Sequence, residues 1–207
     1  GWSLEEAMLA DEATSEIKLT KVAQPTNFAI QYALTQLWRS WGIDAEAAVG
    51  HSVGEVAAAW ASGALSLEDA VLVSFHRSRL QQTTAGQGTM LAVGLAEDEA
   101  MGLTEIYERV SVAAINSATA VTLAGDEDEL LQIAESLEGE GIFNRMLDVE
   151  VAYHSHHMDP LHDELAAALA ELSPQRGAMA LYSTVTGARI EGDTLDAAYW
   201  WRNVREP

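Results

Sequence analysis

The pentapeptide Gly50-His51-Ser52-Val53-Gly54 constrains this chain more than any other segment. It follows the apolar run Ala47-Ala48-Val49 and opens the alanine-rich stretch VGEVAAAWASG, which closes at Gly63. An apolar strand end, a glycine-flanked serine and a helix-forming stretch read as strand, sharp turn, helix. A serine that merely fills core space has no use for glycine on both sides. On such a turn the backbone is strained, and side chains at the flanking positions are expected to clash with neighbouring backbone. The Ser52 hydroxyl then stands exposed where strand meets helix. The helix N-terminus lends positive potential to charge developing there, and the Val53 N–H is placed to donate to an oxyanion.

The flanking sequence speaks the same α/β language. Residues 1–19 read as one weak helix and a connector. Pro25 is expected to open the next helix. Phe28, Tyr32, Leu37 and Trp41 follow at roughly helical spacing, and Gly42 ends it. Ser66-Leu67-Glu68-Asp69 has the spacing of a capped helix start. Near Gly86–Gly88 the pattern changes. Strands are expected at 89–95, 110–116, 120–125 and 142–149, with helices over EDEAMGLTEIY and DEDELLQIAESLEGEG. The order β-α-β-β-α-β is that of a ferredoxin-like unit. Downstream, Asp159 and Pro160 open a helix with Leu161, Leu165, Leu169 and Leu172 on one face, and MALYSTVTGARIEG reads as a hairpin or two short strands around Gly187. The expected architecture is an α/β-hydrolase-like large subdomain (1–87 and 150–207) with a parallel sheet, and an inserted ferredoxin-like small subdomain (88–149).

Composition narrows the function classes. Apolar residues make up 48% of the 207, enough for a true core, yet no apolar run is long enough to span a membrane. The acidic N-terminal stretch is not a signal peptide. A net charge of −21 repels phosphate backbones and anionic membranes, so neither nucleic acid nor membrane is an expected partner. The absence of cysteine excludes disulfides, thiolate metal sites and a cysteine nucleophile, and fits a cytoplasmic protein.

A serine nucleophile needs a base. Six histidines are available, at 51, 76, 154, 156, 157 and 162. His51 adjoins the serine, so the backbone directs the two side chains apart, and it is expected to pack under the turn. His76 lies within a helix. His154 follows the last strand of the small unit, where the chain re-enters the large one, and suits a base brought from a distant segment. The cluster His154-Ser155-His156-His157, with His162 and Asp163, raises metal binding, but no HExxH is present and cysteine is absent, so no metal is expected. His156 and His157 are expected at the surface or a pocket rim.

With Ser52 and His154 identified, a family resemblance can be stated. The segments QPTNFAIQYAL, GHSVGE, GALSLEDAV, HRSRLQQ, GTMLAV, VTLAG, AYHSHHMDP and YWWRNVREP resemble, in order, the acyltransferase domains of modular polyketide synthases. The malonyl-CoA:carrier-protein transacylases of fatty acid synthesis are more distantly similar. The resemblance implies that Ser52 attacks an acyl-CoA thioester, that His154 moves the serine proton to the departing thiol, and that the acyl group passes to the phosphopantetheine thiol of an acyl carrier protein. Neighbouring synthase domains are implied as partners, and no tightly bound cofactor is needed; malonyl-CoA is the substrate. Asn203 matches the position whose carbonyl orients the family histidine. Asn116 matches an asparagine near the pocket, and Gln24 a glutamine near the nucleophile. Arg77 matches the arginine that grips the free carboxylate of a dicarboxylic acyl group, two parallel charge-assisted bonds being the natural fit of a guanidinium. An acetyl group brings no carboxylate, a loss of about 2–5 kcal/mol.

The block Val151-Ala152-Tyr153-His154 points to malonyl, because an aromatic Tyr153 fills the room an α-methyl needs. Val53 agrees, and Val151 departs from the pattern. The alternatives are a methylmalonyl-selective enzyme, a serine hydrolase or thioesterase, and a non-catalytic fragment of a synthase. The family's glycine- and glutamine-rich strand end, source of the second oxyanion N–H, is not in this sequence. The chain is therefore expected to be the middle of a larger domain, with an incomplete oxyanion hole of its own.

Overall fold

A computed structural model describes residues 2–207. In chain order the elements are α1 (Leu4–Leu9), α2 (Thr20–Ser40), β1 (Ala47–Gly50), α3 (Gly54–Ala61), α4 (Leu67–Gln82), β2 (Thr89–Val93), α5 (Glu97–Ile106), β3 (Val110–Ser117), β4 (Ala120–Gly125), α6 (Glu127–Gly139), β5 (Asn144–Met146), a 3₁₀ turn (His156–Leu161), α7 (His162–Ala168), β6 (Ala180–Ser183), β7 (Ala188–Ile190), a 3₁₀ turn (Gly192–Thr194) and α8 (Ala197–Arg205). Contacts divide the chain into two compact units, residues 1–82 with 163–202 and residues 83–162 with 203–207. The fold is α/β, as the sequence predicts.

In the first unit, β1 pairs in parallel with β6, and β7 adds an antiparallel edge. The β6–β7 hairpin turns at Gly187, whose φ of +64° suits a residue without a Cβ. The helix α2 starts at Thr20, five residues before Pro25. Pro25 therefore lies in the second turn, where it withholds one ladder N–H. The early start is carried by packing: Thr20, Val22, Gln24, Thr26 and Phe28 are all buried, and α2 makes extensive contact with α4. Ser66 caps α4 as its spacing predicts, with Oγ accepting from the Asp69 N–H at 3.0 Å. The core of α3 is closely set, with Val56 and Ala59 fully buried.

In the second unit the strand order is β3-β4-β2-β5, antiparallel throughout, with α5 and α6 as the two helices. This is the ferredoxin-like order. Its core joins Leu91, Val93, Val112, Val121 and Leu123 from the strands to Ala100, Leu130, Ile133 and Leu137 from the helices. The strand expected over 142–149 is present only as Asn144–Met146. Within this unit, the Gly86 N–H in the turn ahead of β2 donates to the Glu150 carbonyl at 2.7 Å.

Candidate active site

The turn after β1 has the strain that its sequence predicts. Ser52 has φ of +52°, a conformation a non-glycine residue rarely adopts. Gly50 is required by space. A Cβ there would lie 2.2 Å from the Gly54 carbonyl oxygen and 2.5 Å from the Glu55 nitrogen. Gly54 is not. A Cβ on it would meet only the Gln31 side chain, at 3.7 Å, so the expectation of a clash holds for one flanking glycine and fails for the other. The helix closes over the turn through Gly54 N–H to His51 O (2.9 Å) and Glu55 N–H to Ser52 O (3.1 Å). Among the described residues the Val53 N–H has no backbone acceptor. His51 does not pack beneath the turn: it is exposed. A residue that precedes an αL serine at the end of an edge strand faces outward.

Arg77 comes from the middle of α4 and is 1% exposed. Its Nη2 donates to Ser52 Oγ at 2.8 Å. Its Nη1 donates to Gln24 Oε1 at 2.6 Å and to Gln81 Oε1 at 3.3 Å. The Gln24 Nε2 donates in turn to Gln81 Oε1 at 2.8 Å. Three sequence-predicted residues, Ser52, Arg77 and Gln24, are thus assembled in one hydrogen-bonded group. The arginine two positions on, Arg79, has a different fate. It pairs with Glu164 at 2.8 Å and lies beside His76 Nδ1, whose pKa is lowered by burial and by that guanidinium.

A second buried network stands behind the turn. The fully buried Glu55 on α3 accepts from Tyr199 Oη at 2.5 Å, and Ser183 Oγ lies 2.7 Å from the same hydroxyl. Burial first, then the Glu55 carboxylate, push the Tyr199 pKa well above that of an ordinary tyrosine. Sequence reading gave no role to Glu55, Tyr199 or Ser183, although Glu55 and Tyr199 lie in segments that carry the resemblance.

In the other unit, His154 is 5% exposed and has φ of +57°. Its Nδ1 lies 2.7 Å from the backbone carbonyl of Glu206. That carbonyl lies in the extended tail just past α8; Asn203, which the resemblance matches to the residue that orients the histidine, is buried within the last turns of α8. The strained turn is clamped by Ser155 Oγ, which donates to the Ala152 carbonyl at 2.6 Å and accepts from the His157 N–H at 3.3 Å. Tyr153 packs partly buried against Met90, Ala113, Ala124 and Ala152. Asn116 is exposed near the end of β3, with Nδ2 donating to Thr122 Oγ1 at 2.9 Å.

The histidines expected at a rim form a group instead. His157 Nε2 is 2.8 Å and His156 Nε2 3.2 Å from Asp126 Oδ1, and one nitrogen or oxygen from each of the three lies within 4.8 Å of the others. Arg109 Nε already pairs with Asp126 Oδ2 at 2.9 Å, placing a cation beside the only carboxylate of the group. Partial burial works to raise the Asp126 pKa, but Arg109 and the two imidazoles hold it below the usual carboxylate value.

A glycine-flanked serine on a strained strand–helix turn, with a buried guanidinium on its hydroxyl, has the geometry for acyl transfer or hydrolysis. The comparisons make the family plain. The family model described as "Acyl transferase domain" matches residues 1–207, and the chain belongs to that family. It is an acyltransferase domain of the polyketide synthase type. Over 205 residues it is 38% identical to pikromycin polyketide synthase component PikAII of Streptomyces venezuelae, covering 99% of this chain and 6% of that one. Among solved structures it matches the acyltransferase domain from module 8 of the salinomycin polyketide synthase, with a TM-score of 0.95 at 33% identity, over 100% of this chain and 49% of that one. The loading acyltransferase of the avermectin synthase matches at a TM-score of 0.92 and 34% identity, with 100% and 66% covered. FabD from Acinetobacter baumannii matches at 0.87 and 25%, with 98% and 69% covered. The chain thus spans a small part of that synthase and about half to two-thirds of the salinomycin and avermectin domains.

Proposed function

We propose that this domain loads a malonyl extender from malonyl-CoA onto Ser52 and passes it to the phosphopantetheine thiol of an acyl carrier protein, working beside neighbouring synthase domains in the cytoplasm. The observation that carries the reading is the 2.8 Å bond from the Arg77 guanidinium to the Ser52 hydroxyl. A buried arginine touching a nucleophilic oxygen favours an acyl group that ends in a carboxylate a few bonds from its thioester.

In this reading Ser52 Oγ attacks the thioester carbonyl and gives its proton to His154 Nε2. The Val53 N–H donates to the oxyanion that forms. The carbon–sulfur bond breaks, and the CoA sulfur takes the proton from His154. An acyl-serine ester remains, its terminal carboxylate held by Arg77. The carrier thiol then gives its proton to His154 and attacks the ester, and Ser52 leaves with that proton. The Glu206 carbonyl at Nδ1 supports this cycle, because it fixes the tautomer that leaves Nε2 as the acceptor. Tyr153 disfavours an α-methyl by its bulk, a discrimination of about 1–3 kcal/mol. Asn116 and His51 are proposed to contact the substrate, and Asn203, beside the Glu206 carbonyl, to orient His154.

The test is intact-protein mass spectrometry of the full-length enzyme given equimolar malonyl-, methylmalonyl- and acetyl-CoA. A malonyl adduct mapping to Ser52, absent in Ser52→Ala, is the expected result. Release of free acid without transfer to the carrier would make it a hydrolase, and a methylmalonyl adduct would reassign Tyr153.

A further inference from the structure

Arg77 divides its two terminal nitrogens. Nη2 faces the nucleophile, whereas Nη1 faces two amide oxygens, those of Gln24 and Gln81. Gln81 lies one helical turn after Arg77 on α4 and is fully buried. Its Oε1 accepts from both Arg77 Nη1 and Gln24 Nε2, closing a three-membered ring of hydrogen bonds. That ring fixes which way the Gln24 amide points. Were it reversed, its NH₂ would meet the guanidinium donor to donor, and its oxygen would meet the Gln81 oxygen. These two acceptors, both amide oxygens, are uncharged. They orient the cation without cancelling it, where a carboxylate at the same distance would neutralise it.

We propose that Gln81 is a specificity-determining, positioning residue: through its neutral amide it aligns Gln24 and Arg77 while leaving the guanidinium's charge to select a carboxylated acyl group. The inference rests on the reading that Ser52 is acylated from an acyl-CoA. It makes a prediction that a purely structural role does not. Gln81→Glu has nearly the same shape and keeps an acceptor in place, so it separates charge from geometry. Gln81→Leu keeps neutrality and loses the acceptor.

The experiment measures kcat and KM for Ser52 acylation of the full-length enzyme by malonyl-CoA and by acetyl-CoA, with folding of each variant checked by circular dichroism. Gln81→Glu is expected to lower the malonyl-to-acetyl ratio of kcat/KM by at least about tenfold, mostly through a raised KM for malonyl-CoA. Gln81→Leu is expected to lower kcat/KM for malonyl-CoA without improving acetyl-CoA. Gln24→Glu, which sets a carboxylate on the same nitrogen, repeats the Gln81→Glu test should that variant not fold, and is expected to collapse the ratio likewise. A folded Gln81→Glu or Gln24→Glu enzyme that keeps the wild-type ratio overturns the inference alone. A wild-type enzyme that carries no acyl group on Ser52 overturns the reading beneath it, and this inference with it.

Discussion

The carbonyl of Gly54 occupies the space a side chain on Gly50 would need, with only 2.2 Å between its oxygen and an ideal Cβ. The two glycines flank the same serine, and only one of them is held by sterics. Gly50→Ala is expected to destabilise the domain by about 1–3 kcal/mol and to abolish Ser52 labelling, because the blocking atoms are backbone. Gly54→Ala, at the start of α3, is expected to be neutral or up to about 1 kcal/mol stabilising. Urea denaturation of the two variants side by side checks the asymmetry.

The αL conformation of Ser52 is held against its own preference. Ser52→Gly and Ser52→Ala both remove the hydroxyl that Arg77 touches, and both are expected to be inactive. Ser52→Gly is nevertheless expected to be more stable than Ser52→Ala by about 1 kcal/mol, since only glycine adopts that φ freely. Equal melting points would mean that the turn carries no strain.

Tyr199→Phe removes the donor to the buried Glu55 carboxylate and the hydroxyl next to Ser183. The expected loss is about 1–3 kcal/mol, with a melting temperature several degrees lower. Tyr199→Phe combined with Glu55→Gln is expected to recover part of it, because the acceptor left behind is no longer charged.

Two histidines tie stability to pH. His156 is held below the usual 6.5 by burial, then by His157 and Arg109; His76 is lowered by burial, then by Arg79. In each case the unfolded chain binds a proton at a higher pH than the native one does. Their contribution is therefore intact above pH 6.5 and is lost as pH falls through the native value. Melting temperature is expected to fall on going from pH 7.5 to 5, and His156→Asn is expected to flatten the slope. A flat profile in the unmodified protein would contradict both shifts.

What could be read in advance was local. The turn around Ser52 carries its geometry in five residues, and the strands 110–117 and 120–125 are short, mainly apolar runs on either side of a short polar turn. The pairing of Arg77 with Ser52 followed only from family resemblance; 25 residues of separation say nothing about contact. The start of α2 at Thr20 was hidden because proline usually marks a first turn, whereas here packing against α4 overrides it. The Glu206 carbonyl was invisible for a different reason: a backbone oxygen has no residue type. Gln81 had a legible signal, a polar residue four positions after a buried arginine on one helix, but nothing in the sequence says that both are buried.

One feature of the first unit bears on anyone who handles this polypeptide by itself. Among the described residues β1 is paired on one side only, and Val49 on it is 67% exposed. Leu34, Trp38, Trp41 and Ile43 add large apolar side chains to the surface of the same unit. An open strand edge accompanied by exposed aliphatic and indole groups invites concentration-dependent clumping, whatever the solubility implied by a charge of −21. Purified samples of these 207 residues alone should be kept dilute, and turbidity on concentration would reflect that naked ribbon rather than a failure to fold.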